Sequence, residues 1–124
     1  VGAMARNPRQ QEPLTVLMLV GQGVAQTPAV FALLVSLLLL YAPETPGAGL
    51  VEASAFLGAG LCMGLGGIGP GIGAGIAAGA ATETAGRHPQ QHEDVLRAMV
   101  AGQAVAQSTA VYALVVALLL LRMG

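Results

Sequence analysis

Gly67-Ile68-Gly69-Pro70-Gly71-Ile72-Gly73-Ala74-Gly75-Ile76-Ala77-Ala78-Gly79 decides how this chain is read. Gly67, Gly71, Gly75 and Gly79 recur at every fourth residue, and Gly60 with Gly64 and Gly69 with Gly73 repeat that spacing. Residues four apart share one face of a helix, so the row is a stripe of bare backbone. In water each such glycine costs a helix about 1 kcal/mol relative to alanine. In a bilayer the backbone must satisfy its own hydrogen bonds, so the helix persists there. Rows of small residues then become the surface along which helices approach closely. Glycines on several faces predict an inner ring of such helices, each meeting identical neighbours, with Pro70 loosening one turn. A phosphate-binding loop is excluded. Gly71-Ile72-Gly73-Ala74-Gly75 has no preceding strand, no Gly-Lys-Ser/Thr ending and no polar surroundings.

The flanks agree with a membrane. The chain has 124 residues, is 55% hydrophobic and only 9% charged, with a mean hydropathy of +0.73. Soluble domains carry about 25% charge. The five arginines and six acids cluster at 6–12, 44–52, 83–97 and Arg122, leaving 13–43, 53–82 and 98–121 free of charge. Each gap exceeds the roughly 20 apolar residues that a spanning helix needs. The expected class is therefore an all-α membrane protein, with spans at 14–41, 50–85 and 95–121. Short connections make neighbouring spans antiparallel. The net charge of −1 says nothing about nucleic acid, but there is no basic patch, and no nucleic-acid partner is expected. Cys62 reads as a small packing residue, and one cysteine makes neither a disulfide nor a metal cluster. No secretory leader is legible, because 1–11 is polar and the next apolar run is too long. His88 and His92 read as solvated loop residues.

An internal repeat organises the rest. Arg6-Asn7-Pro8 matches Arg87-His88-Pro89, and Gly21-Gln22-Gly23-Val24-Ala25-Gln26 matches Gly102-Gln103-Ala104-Val105-Ala106-Gln107. Ala29-Val30-Phe31-Ala32-Leu33 matches Ala110-Val111-Tyr112-Ala113-Leu114, always at an offset of 81 (107 − 26 = 81). The unit is a loop followed by a polar-spotted helix, with the glycine-rich helix between its two copies. The expected layout is two hairpins. Residues 1–43 hold a loop and outer helix whose own inner helix would precede Val1. Residues 44–49 are a turn. Residues 50–124 are a complete hairpin of inner helix, Arg-x-Pro loop and outer helix.

The glycine row, then Glu83, Arg87-His88-Pro89 and Gly102-Gln103-Ala104-Val105-Ala106-Gln107-Ser108-Thr109-Ala110-Val111-Tyr112, resemble the c-subunit (proteolipid) of F-type ATP synthases. The doubled hairpin is similar to four-helix proteolipids of V-type and hybrid sodium-dependent rings. The resemblance implies a ring of copies of this chain in the membrane, turning against the stator a-subunit and moving H⁺ or Na⁺. The loops Arg6-Asn7-Pro8 and Arg87-His88-Pro89 would touch central-stalk subunits. They would face the cytoplasm, or the matrix or stroma, of an energy-transducing membrane. Charge agrees independently, because Arg6, Arg9, Arg87 and Arg97 fall at one end of the spans and Glu44 and Glu52 at the other. Arg122 is the exception. The chain itself would catalyse nothing and carry no cofactor.

The departure from the family concerns its central residue. The resemblance implies a mid-membrane carboxylate, an expensive charge that carries the ion. Gln107 stands there in the second copy and Gln26 in the first, and glutamine is neutral at every pH. Val105, Ser108, Thr109 and Tyr112 match the surrounding shell of sodium-type rings, whereas Ala74 replaces an inner-helix glutamine. In the first copy Pro28 replaces a hydroxyl and Phe31 the tyrosine. Two roles for Gln107 stay open: interhelical hydrogen bonding, or direct Na⁺ coordination together with Val105 and Thr109. Gln22 and Gln103, one turn earlier, are expected to join the same polar cluster. Two functional classes follow, a rotor-ring proteolipid taking part in ion translocation and a non-translocating structural or assembly proteolipid. A soluble enzyme comes a distant third, since the sequence shows no nucleophile–base pair or metal cluster.

Overall fold

A computed structural model of the chain describes residues 2–6, 8–43 and 49–123. Helices make up almost all of it: α1 (Gly2–Arg6), α2 (Gln11–Ala25), α3 (Thr27–Leu40), α4 (Leu50–Gly66), α5 (Ile68–Arg87) and α6 (His92–Met123). Single 3-10 turns, Pro8–Gln10 and Pro89–Gln91, lead into α2 and α6. Three helical runs are long and apolar enough to cross a membrane, Pro8–Leu40, Leu50–Arg87 and Pro89–Met123. The chain is an all-α membrane protein. The expected turn at 44–49 falls almost wholly outside the described residues, as do Asn7 and Glu44.

Two of the three spans are broken in the middle, and proline accounts for both breaks. Pro28 has no N–H for the carbonyl of Val24 four residues earlier, and α2 ends at Ala25. Pro70 likewise cannot serve the carbonyl of Gly66, the last residue of α4. The two breaks are packed together, since a Cβ built on Gly67 would lie 3.3 Å from Pro28 Cβ. Proline-free α6 runs unbroken for 32 residues, about 48 Å at 1.5 Å per residue. His92 is the first residue of α6 rather than a loop residue; His88 does sit between elements, capping α5.

The α2–α3 run lies parallel to α6, and the α4–α5 run lies antiparallel to both. Leu14, Leu17, Ala81, Ala85 and Met99 form one buried cluster, and Val35, Ala59, Met63, Ala113 and Ala117 form another. On α6 the two clusters are separated by Gln103 and Gln107, which are buried as well. Cys62 packs in the second cluster, its thiol donating to the carbonyl of Ala113 at 3.6 Å. Thr15, Ser36, Thr82 and Thr84 return their hydroxyls to carbonyls four residues earlier, which satisfies them without water. Leu33, Leu37, Leu61, Leu65, Ile72, Ile76 and Leu119 remain exposed. So much uncovered aliphatic surface suits lipid and neighbouring helices, not water.

The glycines divide into two sets. A Cβ on Gly66 would sit 2.6 Å from Ala113 Cβ, one on Gly21 2.6 Å from Ala78 Cβ, and one on Gly73 3.3 Å from Ala106 Cβ. These three let the spans of one chain touch. A Cβ on Gly64, Gly69, Gly71, Gly75 or Gly79 would meet nothing within 4 Å. At that second set the chain's other helices leave open space, and Gly75 and Gly79 border a groove shared with α1 and α2. Gly66→Ala should therefore destabilise the single chain by about 1–3 kcal/mol through overpacking. Gly64→Ala, two residues away, should be neutral or slightly stabilising. Denaturant midpoints followed by circular dichroism in detergent would check this, and equal effects would contradict the division.

Candidate functional site

The glutamine layer sits where α2, α5 and α6 meet. Gln103 is wholly buried, and its Nε2 donates to the carbonyls of Gly21 and Ala74, both at 3.0 Å. Gln107 is 8% exposed, and its Nε2 donates to the carbonyl of Val24 at 3.0 Å. All three acceptors are carbonyl oxygens, so only the amide nitrogens can face them, and both side-chain orientations follow. Bonds of this kind are worth about 0.6 to 2 kcal/mol each between membrane helices. They stitch α6 to α2 and α5 midway between the two apolar clusters. The Oε1 atoms of Gln103 and Gln107 are both buried without a partner, and a buried unpaired oxygen carries a desolvation cost of about 1–3 kcal/mol.

The other expected shell residues lie elsewhere on α6. Val105, Thr109 and Tyr112 are exposed and Ser108 is half-buried. Their spacing of three and four places them on one strip, and it is not the strip that carries Gln103 and Gln107 inward. Ser108 Oγ donates to the carbonyl of Val105 at 2.7 Å and Thr109 Oγ1 to that of Ala106 at 3.2 Å, so both hydroxyls are taken by their own helix. Ala74 is fully buried and contributes its carbonyl, through Gln103, rather than a side chain. Within one chain Gln103 reaches Ala74 and Gln107 reaches Val24, while Val105, Ser108, Thr109 and Tyr112 lie on another strip of α6.

The first copy is different. Gln26 and Gln22 are exposed, and neither makes a side-chain hydrogen bond among the described residues. Gln103 joins the layer as its position suggests, but Gln22 does not. The carbonyls of Val24 and Gly21 are the participants that side-chain reading missed. The signal for Val24 was present as the four-residue spacing to Pro28. At the loop end, Arg87 pairs with Glu83, and both side chains are more than half exposed, so the pair adds little stability. Arg6, Glu83 and Arg87 line one narrow groove with Ala3 and Gly86, so the segments leading into both loops lie side by side. Pro8 and Pro89 open the two 3-10 turns. Among the described residues, no three His, Cys, Asp or Glu side chains are grouped to hold a metal.

Known proteins match this sequence. Residues 57–120 match the family of ATP synthase c-subunits. The chain is 53% identical over 75 residues to the ATP synthase c-subunit of Alkaliphilus oremlandii (strain OhILAs), covering 60% of this chain and 84% of that protein. It is also 53% identical over 75 residues to the ATP synthase c-subunit of Natranaerobius thermophilus, covering 60% of this chain and 86% of that protein. With the ATP synthase c-subunit of Mycoplasmopsis agalactiae it shares 46% identity over 40 residues, 32% of this chain and 53% of that protein. The family match spans α6 together with the inner run that packs on it.

Proposed function

The chain belongs to the ATP synthase c-subunit family, and on that premise we propose a rotor-ring proteolipid whose own ion-site position is electrically neutral. Members of this family act as a ring within the ATP synthase, and the open glycine face of α4 and α5 is the surface on which copies of this chain would meet. The observation that carries the neutral reading is the Gln107 amide, buried and closed on the carbonyl of Val24. It has no proton to exchange, and Gln26 has none either. Glu52 lies in the first turn of α4 and Glu83 in the last turns of α5, away from the middle of the membrane. Carriage of H⁺ or Na⁺ then needs carboxylates on other subunits, on a natural form of this one, or on sequence beyond these 124 residues, facing the stator a-subunit.

A non-translocating structural proteolipid is the second reading, favoured by the way Gln103 and Gln107 bind the two hairpins to each other. In both readings Arg6, Pro8, Arg87, His88 and Pro89 lie at the end that meets the central stalk. That end carries Arg6, Arg9, Arg87 and Arg97, which supports the cytoplasmic, matrix or stromal side for it.

Carbodiimide attacks protonated carboxyls within membranes and tests the neutral reading. A ring made only of this chain should show no sodium protection of any labelling, because its acids lie near the span ends. Sodium-protected labelling anywhere on the chain would refute a neutral site.

A further inference from the structure

We propose that Pro28 is a positioning residue for the second hairpin's site, because by withholding an N–H it hands the carbonyl of Val24 to position 107. In an unbroken helix the N–H of residue 28 would bond the carbonyl of residue 24. Proline has none to give, and the amide of Gln107 supplies a donor to that oxygen at 3.0 Å. The kink is packed, since Pro28 is buried and seated on Gly67, the break in the facing run.

The internal repeat is a built-in control. Thr109 is the counterpart of Pro28 and keeps its N–H, and α6 runs through that point without interruption. The counterpart of Val24 is Val105, which is exposed and whose carbonyl takes the Ser108 hydroxyl of its own helix. The counterpart of Gln107 is Gln26, exposed and without a side-chain hydrogen bond among the described residues. Where the repeat has no proline, no glutamine is captured. Comparison of the two copies alone reads Pro28 as a lost hydroxyl. In the folded chain it is a gained carbonyl, and it makes one composite site between the hairpins in place of two equivalent ones.

This deepens the reading of 107 as the ion-site position, but its test needs neither an ion nor a carboxylate. Failure here and failure of the labelling experiment are therefore separate results. The test is a double-mutant cycle on the full chain, unfolded reversibly in detergent micelles. With Pro28 in place, Gln107→Leu should lower the folded-to-unfolded ratio about three- to tenfold. In the Pro28→Ala background the restored N–H serves Val24, and the same change should cost at most about twofold. Equal losses in the two backgrounds would overturn the proposal. Pro28→Thr, which copies the repeat's own residue, replaces Pro28→Ala if that variant does not fold. A direct measurement covers failure of both. Solid-state dipolar recoupling on the unmodified chain should place a glutamine side-chain nitrogen about 4 Å from the Val24 carbonyl carbon, and no such contact would also overturn it.

Discussion

Replacing Gly71 or Gly75 with leucine should abolish ring assembly while leaving the individual chain folded. The reason is the division of glycines within the inner run. Neither position has an atom of the chain's other helices within 4 Å of an added Cβ, so the chain itself has room for a larger side chain. A neighbouring copy has no such room if the stripe is where backbones come together. Helix association in lipid draws on close van der Waals contact rather than on apolar burial, and a leucine in the stripe holds the backbones apart. The effect repeats at every interface of a closed ring, so it is all or none in the assembled particle. Particle mass in mild detergent reads it: a large species for the unsubstituted chain and a single-chain species for either variant, with unchanged helix content. Intact rings from Gly71→Leu or Gly75→Leu would show that the stripe is not the contact face. A single-chain particle from the unsubstituted protein would remove the ring itself.

Much of this was legible because a bilayer simplifies the reading. Charge-free gaps at 13–43, 53–82 and 98–121 are of helix-spanning length, and a helix satisfies its own backbone in lipid; the three spans lie over those gaps. The glycine period identified a contact surface but not which glycines served contacts inside the chain. Gly66 and Gly73 pack on α6, whereas Gly71 and Gly75 do not, and a four-residue period has no means of telling one face from the next. The site was legible only in its side chains. Gln107 and Gln103 stand out as polar residues in an apolar run, but their acceptors are backbone carbonyls of Val24, Gly21 and Ala74, and backbone oxygens leave no letter in a sequence. The inequality of the two copies was similarly half visible. Pro28 and Phe31 mark the first copy as altered, but only packing shows that the change turns Val24 toward the second copy and leaves Gln26 outside.

That inequality sets the expected outcome of restoring an acid. Gln107→Glu should give a carboxyl that reacts strongly with carbodiimide. At 3.0 Å from the carbonyl of Val24 the glutamine amide donates a hydrogen bond, and a glutamic acid can keep that bond only in its protonated form. An ionised carboxylate would face the carbonyl oxygen unshielded in an apolar layer, so the neutral, reactive form is held there until a fixed cation such as a stator arginine approaches. Gln26→Glu has no such seat. Gln26 is exposed and makes no side-chain hydrogen bond among the described residues, so labelling there should be several-fold weaker. Sodium should protect Gln107→Glu only slightly. The Ser108 and Thr109 hydroxyls are turned to carbonyls of their own helix, the Ala74 carbonyl already takes Gln103, and Ala74 has no side-chain oxygen to add. Labelling of both variants in lipid vesicles, with and without sodium, checks each step. Strong sodium protection at 107 would mean that the site gathers more oxygens in the ring than in one chain. Equal labelling at 26 and 107 would mean that Val24 and Pro28 confer no advantage on the second copy.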